Sequence, residues 1–259
     1  MNIPDFSTKK ERIDFLIENK DMLIAEKKAS MKMADAISFD TIKVDKANNP
    51  VVNPPDVLNV EAAINTTNII DSHMDLHLPG IWNKSIKENK MIMHLQEHQM
   101  KFGNIISDGK DLRVKAEKMS WVQLGYPFEG NTEVLLFNSK VRKERNPFMH
   151  NEYAKGNVKN HSVGMMYVKL FLAVNDEGYV QEFENWEKYI GKAVNPEIAE
   201  EKGYFWAVKE AKVIEGSAVP LGSNYATPTT DNNKEPLNST QDKSTQSEPL
   251  NYIINNFKL

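Results

Sequence analysis

Apolar positions along the chain recur at two different periods. Between Thr8 and about residue 35, Ile13, Leu16, Ile17, Leu23 and Ile24 fall near one face at helical spacing, with Lys and Glu around them. Thr8 and Glu11 have the spacing of a capping box, in which each residue satisfies an orphan backbone donor. This pattern predicts one amphipathic helix over residues 8 to 35. Such a helix docks on the body or pairs with another copy of the chain; the alternative is a detachable segment that binds a scaffold or partner. Residues 45–56 are mostly polar and carry Pro50, Pro54 and Pro55, the signature of a linker. From Val57 the period shortens to two, and Val60, Ala62 and Ile64 alternate as in a half-buried strand.

The same reading predicts the rest of the body. Asp71 to Gly80 reads as a loop ending in a Pro-Gly turn, residues 81–89 as a short helix, and Met91 to Leu95 as a strand. Phe102 to Ser107 and Leu112 to Trp121 read as a hairpin turning through Asp108-Gly109-Lys110, since Asp-Gly favours tight turns. Glu133 to Phe137 is a strand, and Asn146-Pro147 starts a short helix with Asn as cap and Pro in the first turn. Val158 to Val174 is a long strand or strand pair carrying Ser162. Residues 181–203 are charged and helical in pattern, as in a surface insertion. Tyr204 to Ile214 is a strand leading into Glu215. Many short strands with a few helices predict an α+β fold with a closed or nearly closed, β-barrel-like core.

Thr227 to Pro249 is almost wholly polar, with Leu237 as the single leucine, and cannot bury enough apolar area to offset its ordering entropy. It reads as disordered. The last ten residues, Leu250 to Leu259, turn apolar again, as a docking peptide or a segment that folds back on the body. The organisation expected is therefore a helix and linker over 1–56, a core over 57–226 with an insertion at 181–203, and a tail over 227–259.

Composition removes several function classes. No apolar run approaches the roughly 18 residues of a spanning helix, and no secretory leader is read at Met1 to Phe6. Zero cysteines exclude disulfides and thiol catalysis. A net charge of −4 is unlike the basic field of a nucleic-acid binder.

Two sets of residues can carry chemistry. His94-Leu95-Gln96-Glu97-His98 matches H-x-x-E-H, which on a helix would let His94 and His98 share a zinc ion with Glu97 as base; His73 and His77 repeat the spacing. The segment before His94, Met91-Ile92-Met93, is compatible with a strand, in which His94 and His98 would face one side. The second set is a hydroxyl, an imidazole and a carboxylate. Ser162 heads an apolar run in Lys159-Asn160-His161-Ser162-Val163-Gly164, and Glu215 opens Glu215-Gly216-Ser217-Ala218-Val219-Pro220. His161 would point to the opposite face of a strand from Ser162.

Taken in order, these stretches resemble the prohead maturation protease family of tailed bacteriophages. That family has an Asp-x-His-x-Asp-like segment running to Pro-Gly-x-aromatic, here Asp71-Ser72-His73-Met74-Asp75 and Pro79-Gly80-Ile81-Trp82. A strand ending in a histidine follows, here Leu95-Gln96-Glu97-His98, with a turn into Phe102 to Ile106. Then come Ser162-Val163-Gly164 and the Glu-x-Ser element at Glu215. The resemblance covers roughly residues 57 to 226. It implies an assemblin-like fold, a β-barrel of mostly antiparallel strands with flanking helices. It implies Ser162 as nucleophile, His98 as general base, Glu215 as the third member and no cofactor. Gly216 departs from the bulkier residue that the family more often has after the glutamate. The function implied is a serine endopeptidase of virion assembly, acting inside the immature capsid in the host cytoplasm. Its substrates would be scaffold or capsid-protein extensions and itself, with a possible homodimer and with neither nucleic acid nor membrane as partner. Self-processing is expected in the 36–56 linker or after Ala226. The alternatives are a non-catalytic scaffold or capsid-assembly protein on a protease-like body, and a zinc hydrolase using His94 and His98.

Overall fold

The computed structural model of the protein describes residues 4–31, 54–89, 91–222 and 229–230. Two helices, α1 (Lys9–Glu18) and α2 (Lys20–Ala29), precede β1 (Val57–Thr66), β2 (Asp75–His77), α3 (Asn83–Glu88), β3 (Met93–Gln96), β4 (Ile105–Ser107), β5 (Leu112–Ser120) and β6 (Asn131–Arg142). Then follow α4 (Pro147–Ala154), β7 (Asn160–Val174), α5 (Val180–Tyr189), α6 (Pro196–Lys202), β8 (Tyr204–Val219) and β9 (Thr229–Thr230). The described strands form two sheets. One runs in the order β5-β6-β1-β9. In the other, β8 lies between β7 on one side and β2 and β3 on the other, with β4 outside β3. Pairing is antiparallel except where β2 and β3 run parallel to β8. The class is α+β. Its described strands make two facing sheets and do not close into one barrel.

The sheets meet through Ile64, Phe137 and Gly216. A Cβ on Gly216 would lie 2.6 Å from the Phe137 ring and 2.7 Å from the Ile64 side chain, so only glycine lets β8 approach the facing sheet here. That contact accounts for Gly216, which the family resemblance left as a departure. The core also takes in Trp82, Phe205 and Trp206, all fully buried. The second half of β1 departs from a half-buried alternation: every residue from Ala62 to Thr66 is buried. Ala62 and Ile64 join the main core, while Ala63 packs on the other face with Trp121 and Leu136.

Several expectations are corrected. The N-terminal helix is two helices, interrupted at Asn19, whose side-chain amide donates to the Phe15 carbonyl at 2.9 Å. Thr8 and Glu11 do cap α1 reciprocally, and Ile13, Leu16 and Leu23 are buried in the main core. The segment expected as a loop, Asp71 to Gly80, contains β2. The expected hairpin through Asp108-Gly109-Lys110 does not form. Phe102–Asn104 is a 3-10 turn, β4 pairs with β3, and β5 pairs with β6. The Asp-Gly segment instead passes the chain from one sheet to the other. Asp108 and Asp111 are held there by Arg145 and Arg142.

The expected surface insertion at 181–203 is amphipathic: Trp186 and Tyr189 of α5 are buried, with Trp186 5.3 Å from the Phe205 ring centroid. Within the segment expected as disordered, Thr229–Thr230 pairs with Glu61 and Ala62. The rest of that tail, the apolar C-terminal peptide and the proposed processing positions before Pro54 and after Ala226 lie outside the described residues. Among the described residues, no helix is long and apolar enough to cross a membrane.

Candidate active site

The site is built on β8, because that strand carries neighbours on both sides at the level of Glu215. Gly164 of β7 and Met93 of β3 flank Glu215; Ser162 and Leu95 flank Ser217. Side chains alternate between faces along a strand, and directly paired residues share a face. Ser162, Gly164, Glu215 and Ser217 therefore share one face of the sheet. His161, Val163, Gly216, Ala218 and His94 belong to the other.

His98 reaches this face by a turn and not by the strand itself. β3 ends at Gln96, and Glu97 and His98 both adopt left-handed backbone conformations, φ 52° and 57°. This costs about 1–2 kcal/mol per residue for an L amino acid. Backbone hydrogen bonds hold it in place. Glu97 N–H donates to the Ala218 carbonyl at 3.0 Å, and His98 N–H donates to Ser217 Oγ at 3.0 Å. The turn brings His98 Nδ1 to 2.7 Å from Glu215 Oε1.

The hydrogen-bond directions then follow. Glu215 is fully buried, and an ionised carboxylate only accepts. A neutral His98 therefore carries its proton on Nδ1, donated to Glu215, and presents a lone pair at Nε2. That Nε2 is buried and has no hydrogen-bond partner among the described residues. A polar atom left this way costs about 1–3 kcal/mol, so it asks for an explanation. The second carboxylate oxygen, Oε2, accepts from Ser217 Oγ at 2.5 Å.

Gly164 explains the glycine two residues after Ser162. A Cβ there would lie 1.9 Å from Glu215 Oε1 and 2.7 Å from its carboxyl carbon. The carboxylate lies directly over this glycine, and any side chain would displace it from His98. The sequence presented Ser-x-Gly as a motif; the sheet register shows what the glycine leaves room for.

The opposite face holds the other histidine pair. His94 Nδ1 lies 2.8 Å from Ser139 Oγ, and its Nε2 lies 3.2 Å from the Tyr153 hydroxyl. Tyr153 also reaches His161 Nε2 at 3.0 Å. The expectation that His94 and His98 share a side is corrected, because the turn at Glu97 breaks the strand alternation. With both ring nitrogens of His94 engaged across the sheet from His98, the pair is not arranged to bind one metal. Among the described residues, no group of three His, Cys, Asp or Glu side chains could hold a metal ion. Burial, with the neighbouring His161, holds His94 well below the ordinary imidazole value.

No family model, curated protein or solved structure matches this chain. The chemistry is therefore read from geometry. The Asp71 to Gly80 stretch forms a closed network away from the Glu215 site. Lys27 of α2, fully buried, donates to Asp75 Oδ1 at 2.5 Å, and the Tyr167 hydroxyl donates to Asp75 Oδ2 at 2.7 Å. His77 Nε2 lies 3.1 Å from that hydroxyl, and its Nδ1 lies 3.2 Å from the Asn65 amide nitrogen. Asp71 Oδ1 accepts from the backbone N–H groups of His73 and Asp75. Burial and the Asp75 charge push Asp71 up to about 6. Burial opposes the charge on Asp75, but the Lys27 ammonium, the Tyr167 hydroxyl and His77 together outweigh it and hold that carboxyl below the ordinary value.

Nothing in the sequence pattern sets apart Lys27, Tyr167, Tyr153 or Ser139. Lys27 was one lysine among many in a charged helix. Ser217 was present only as part of the Glu-x-Ser element, with no role of its own.

Proposed function

We propose that this chain is a serine endopeptidase in which Ser162 is the nucleophile, His98 the general base and Glu215 the residue that orients the imidazole. One observation carries the reading: His98 donates Nδ1–H to a buried carboxylate while its Nε2 has no partner among the described residues, on the sheet face that also carries Ser162. A serine hydroxyl is nearly inert at neutral pH and needs such a base. Ser162 Oγ would attack the scissile carbonyl and pass its proton to Nε2. The tetrahedral oxyanion would collapse, the C–N bond would break, and Nε2–H would protonate the leaving amine. Water would then release the acyl group by the same route. Glu215 keeps the proton on Nδ1 and stabilises the transient imidazolium. General base catalysis of this kind supplies about 10²–10⁴ in rate.

The substrate class rests on the ordered set of segments that resembles the tailed-phage prohead proteases, from Asp71 through His98 and Ser162 to Glu215. The proposal is therefore a virion-assembly protease that cuts scaffold or capsid-protein extensions, and itself, inside the immature capsid. An assemblin-like relationship belongs to the same proposal. The mixture of long antiparallel strands and peripheral helices supports it, while the separation into two sheets leaves it at the level of a resemblance.

The test is intact mass over time at high protein concentration for wild type and Ser162→Ala, each with and without chelator. Truncation confined to wild type and indifferent to chelator is expected. Truncation of both proteins would remove Ser162 as nucleophile.

A further inference from the structure

We propose that Ser217 is a positioning residue for the His98–Glu215 pair, tying the carboxylate and the imidazole's backbone to one hydroxyl. This deepens the serine-hydrolase reading and rests on it. Ser217 is fully buried. Its Oγ–H donates to Glu215 Oε2 at 2.5 Å, and the same oxygen accepts His98 N–H at 3.0 Å. One atom thus sets two things: the rotation of the carboxylate plane, and the left-handed backbone that carries the imidazole back from β3. Each would be free to relax without the other. A lone carboxylate of this length can turn about its last torsion, and a left-handed non-glycine residue is disfavoured unless something holds it.

The alternative use of Ser217, as the nucleophile itself, is poorly served by this arrangement. Its proton is already given to Glu215, its oxygen already accepts an N–H, and the side chain is closed to solvent. Ser162 is the residue paired with it on β7. The two serines divide the work: one reacts, and the other holds the carboxylate and imidazole in register.

The experiment combines a structural signal with a reactivity measurement. The first is the low-field Nδ1–H proton resonance of His98, which reports its bond to Glu215. The second is the rate of labelling by a fluorophosphonate, resolved into binding and bond-forming parts, with the modified serine located by peptide mapping. In Ser217→Ala the resonance should be lost or shifted upfield. The bond-forming rate should fall about 10- to 100-fold, the range for a hydrogen bond to a charged group, with little change in probe binding. Ser217→Thr, which restores the hydroxyl, should recover most of both. Ser217→Cys, a poor donor, should behave like alanine and covers the case in which the alanine variant does not fold.

An unchanged resonance and rate in the alanine and cysteine variants would overturn the proposal, and so would a label on Ser217. Wild type that resists labelling while Ser217→Ala still loses the resonance would remove the hydrolase reading and leave Ser217 as the residue that holds the pair.

Discussion

Asp75 and Glu215 are fully buried carboxylates on the same sheet, one on β2 and one on β8. Each accepts a hydroxyl proton, from Tyr167 and Ser217 respectively, and each is linked to an imidazole. Their neighbourhoods differ in how completely they are closed. Around Asp75 both carboxylate oxygens and both nitrogens of His77 have partners. Lys27 donates to Asp75 Oδ1, Tyr167 receives Nε2–H of His77, and Asn65 donates to His77 Nδ1. Glu215 is paired with His98, and among the described residues the second nitrogen of that imidazole has no partner. The same kinds of group therefore make a closed clamp at Asp75 and leave one nitrogen open to a further partner beside Glu215.

The clamp also has a reach that the site lacks. Lys27 lies 48 residues before Asp75, and it fastens the N-terminal helices to the body by a buried ion pair. Its ammonium also lies over the Trp206 and Tyr167 rings, 5.3 Å and 5.8 Å from their centroids. The helices are thus part of the folded core and not an appendage.

The sharpest way to break the comparison is to crowd the open site. Gly164→Ala puts a methyl group where Glu215 Oε1 lies. Proteolytic kcat should fall about 10³- to 10⁴-fold, the range for removing a triad orienter, with KM nearly unchanged. Steady-state kinetics on a peptide from the truncation site would measure this. Next in size is the clamp: Lys27→Ala leaves a buried carboxylate unpaired, and should cost about 3–5 kcal/mol in denaturant unfolding while the folded fraction keeps its labelling rate. Tyr167→Phe is milder, about 1–3 kcal/mol by the same measurement, because it strips one partner each from Asp75 and His77.

The smallest effect expected is on pH dependence. Burial holds His77 below the ordinary imidazole value, with Asp71 and Asp75 opposing, and holds His94 well below it. The unfolded chain therefore binds protons below about pH 6.5 that the folded chain refuses, and stability falls as pH drops through that value. Asp71, raised to about 6 from 3.8, acts with the opposite sign between those two values, because there the folded state holds the extra proton. Replacing His94 with glutamine removes one histidine contribution. Unfolding measured from pH 7 to 5 should show an acid slope reduced by up to about 1.4 kcal/mol per pH unit.

Local pattern revealed the strands and caps that depend on neighbours in sequence. Thr8–Glu11 and Asn146-Pro147 were readable because a cap acts within one turn. The Asp108-Gly109 hairpin was misread because the turn chemistry is local, while the choice of pairing partner is made by two sheets. β2 was hidden because three residues paired to β8 leave no periodic trace. Ser162, His98 and Glu215 could be singled out as a chemical set, and it is the register of β7 against β8 that puts Ser162 and Glu215 on one face. The position of His98 depends on two left-handed residues that no pattern announces. Lys27 and Tyr167 had no signal at all, since a buried charge looks like any other charge until its partner is known.

The central claim is that the open nitrogen of His98 serves Ser162. The most direct measurement is fluorophosphonate labelling of the wild-type protein at neutral pH, with His98→Ala alongside and the adduct located by mass spectrometry. The account predicts a single adduct on Ser162 in wild type and its near-complete loss in His98→Ala. An adduct on another serine, or one on Ser162 that forms equally fast without His98, would contradict it.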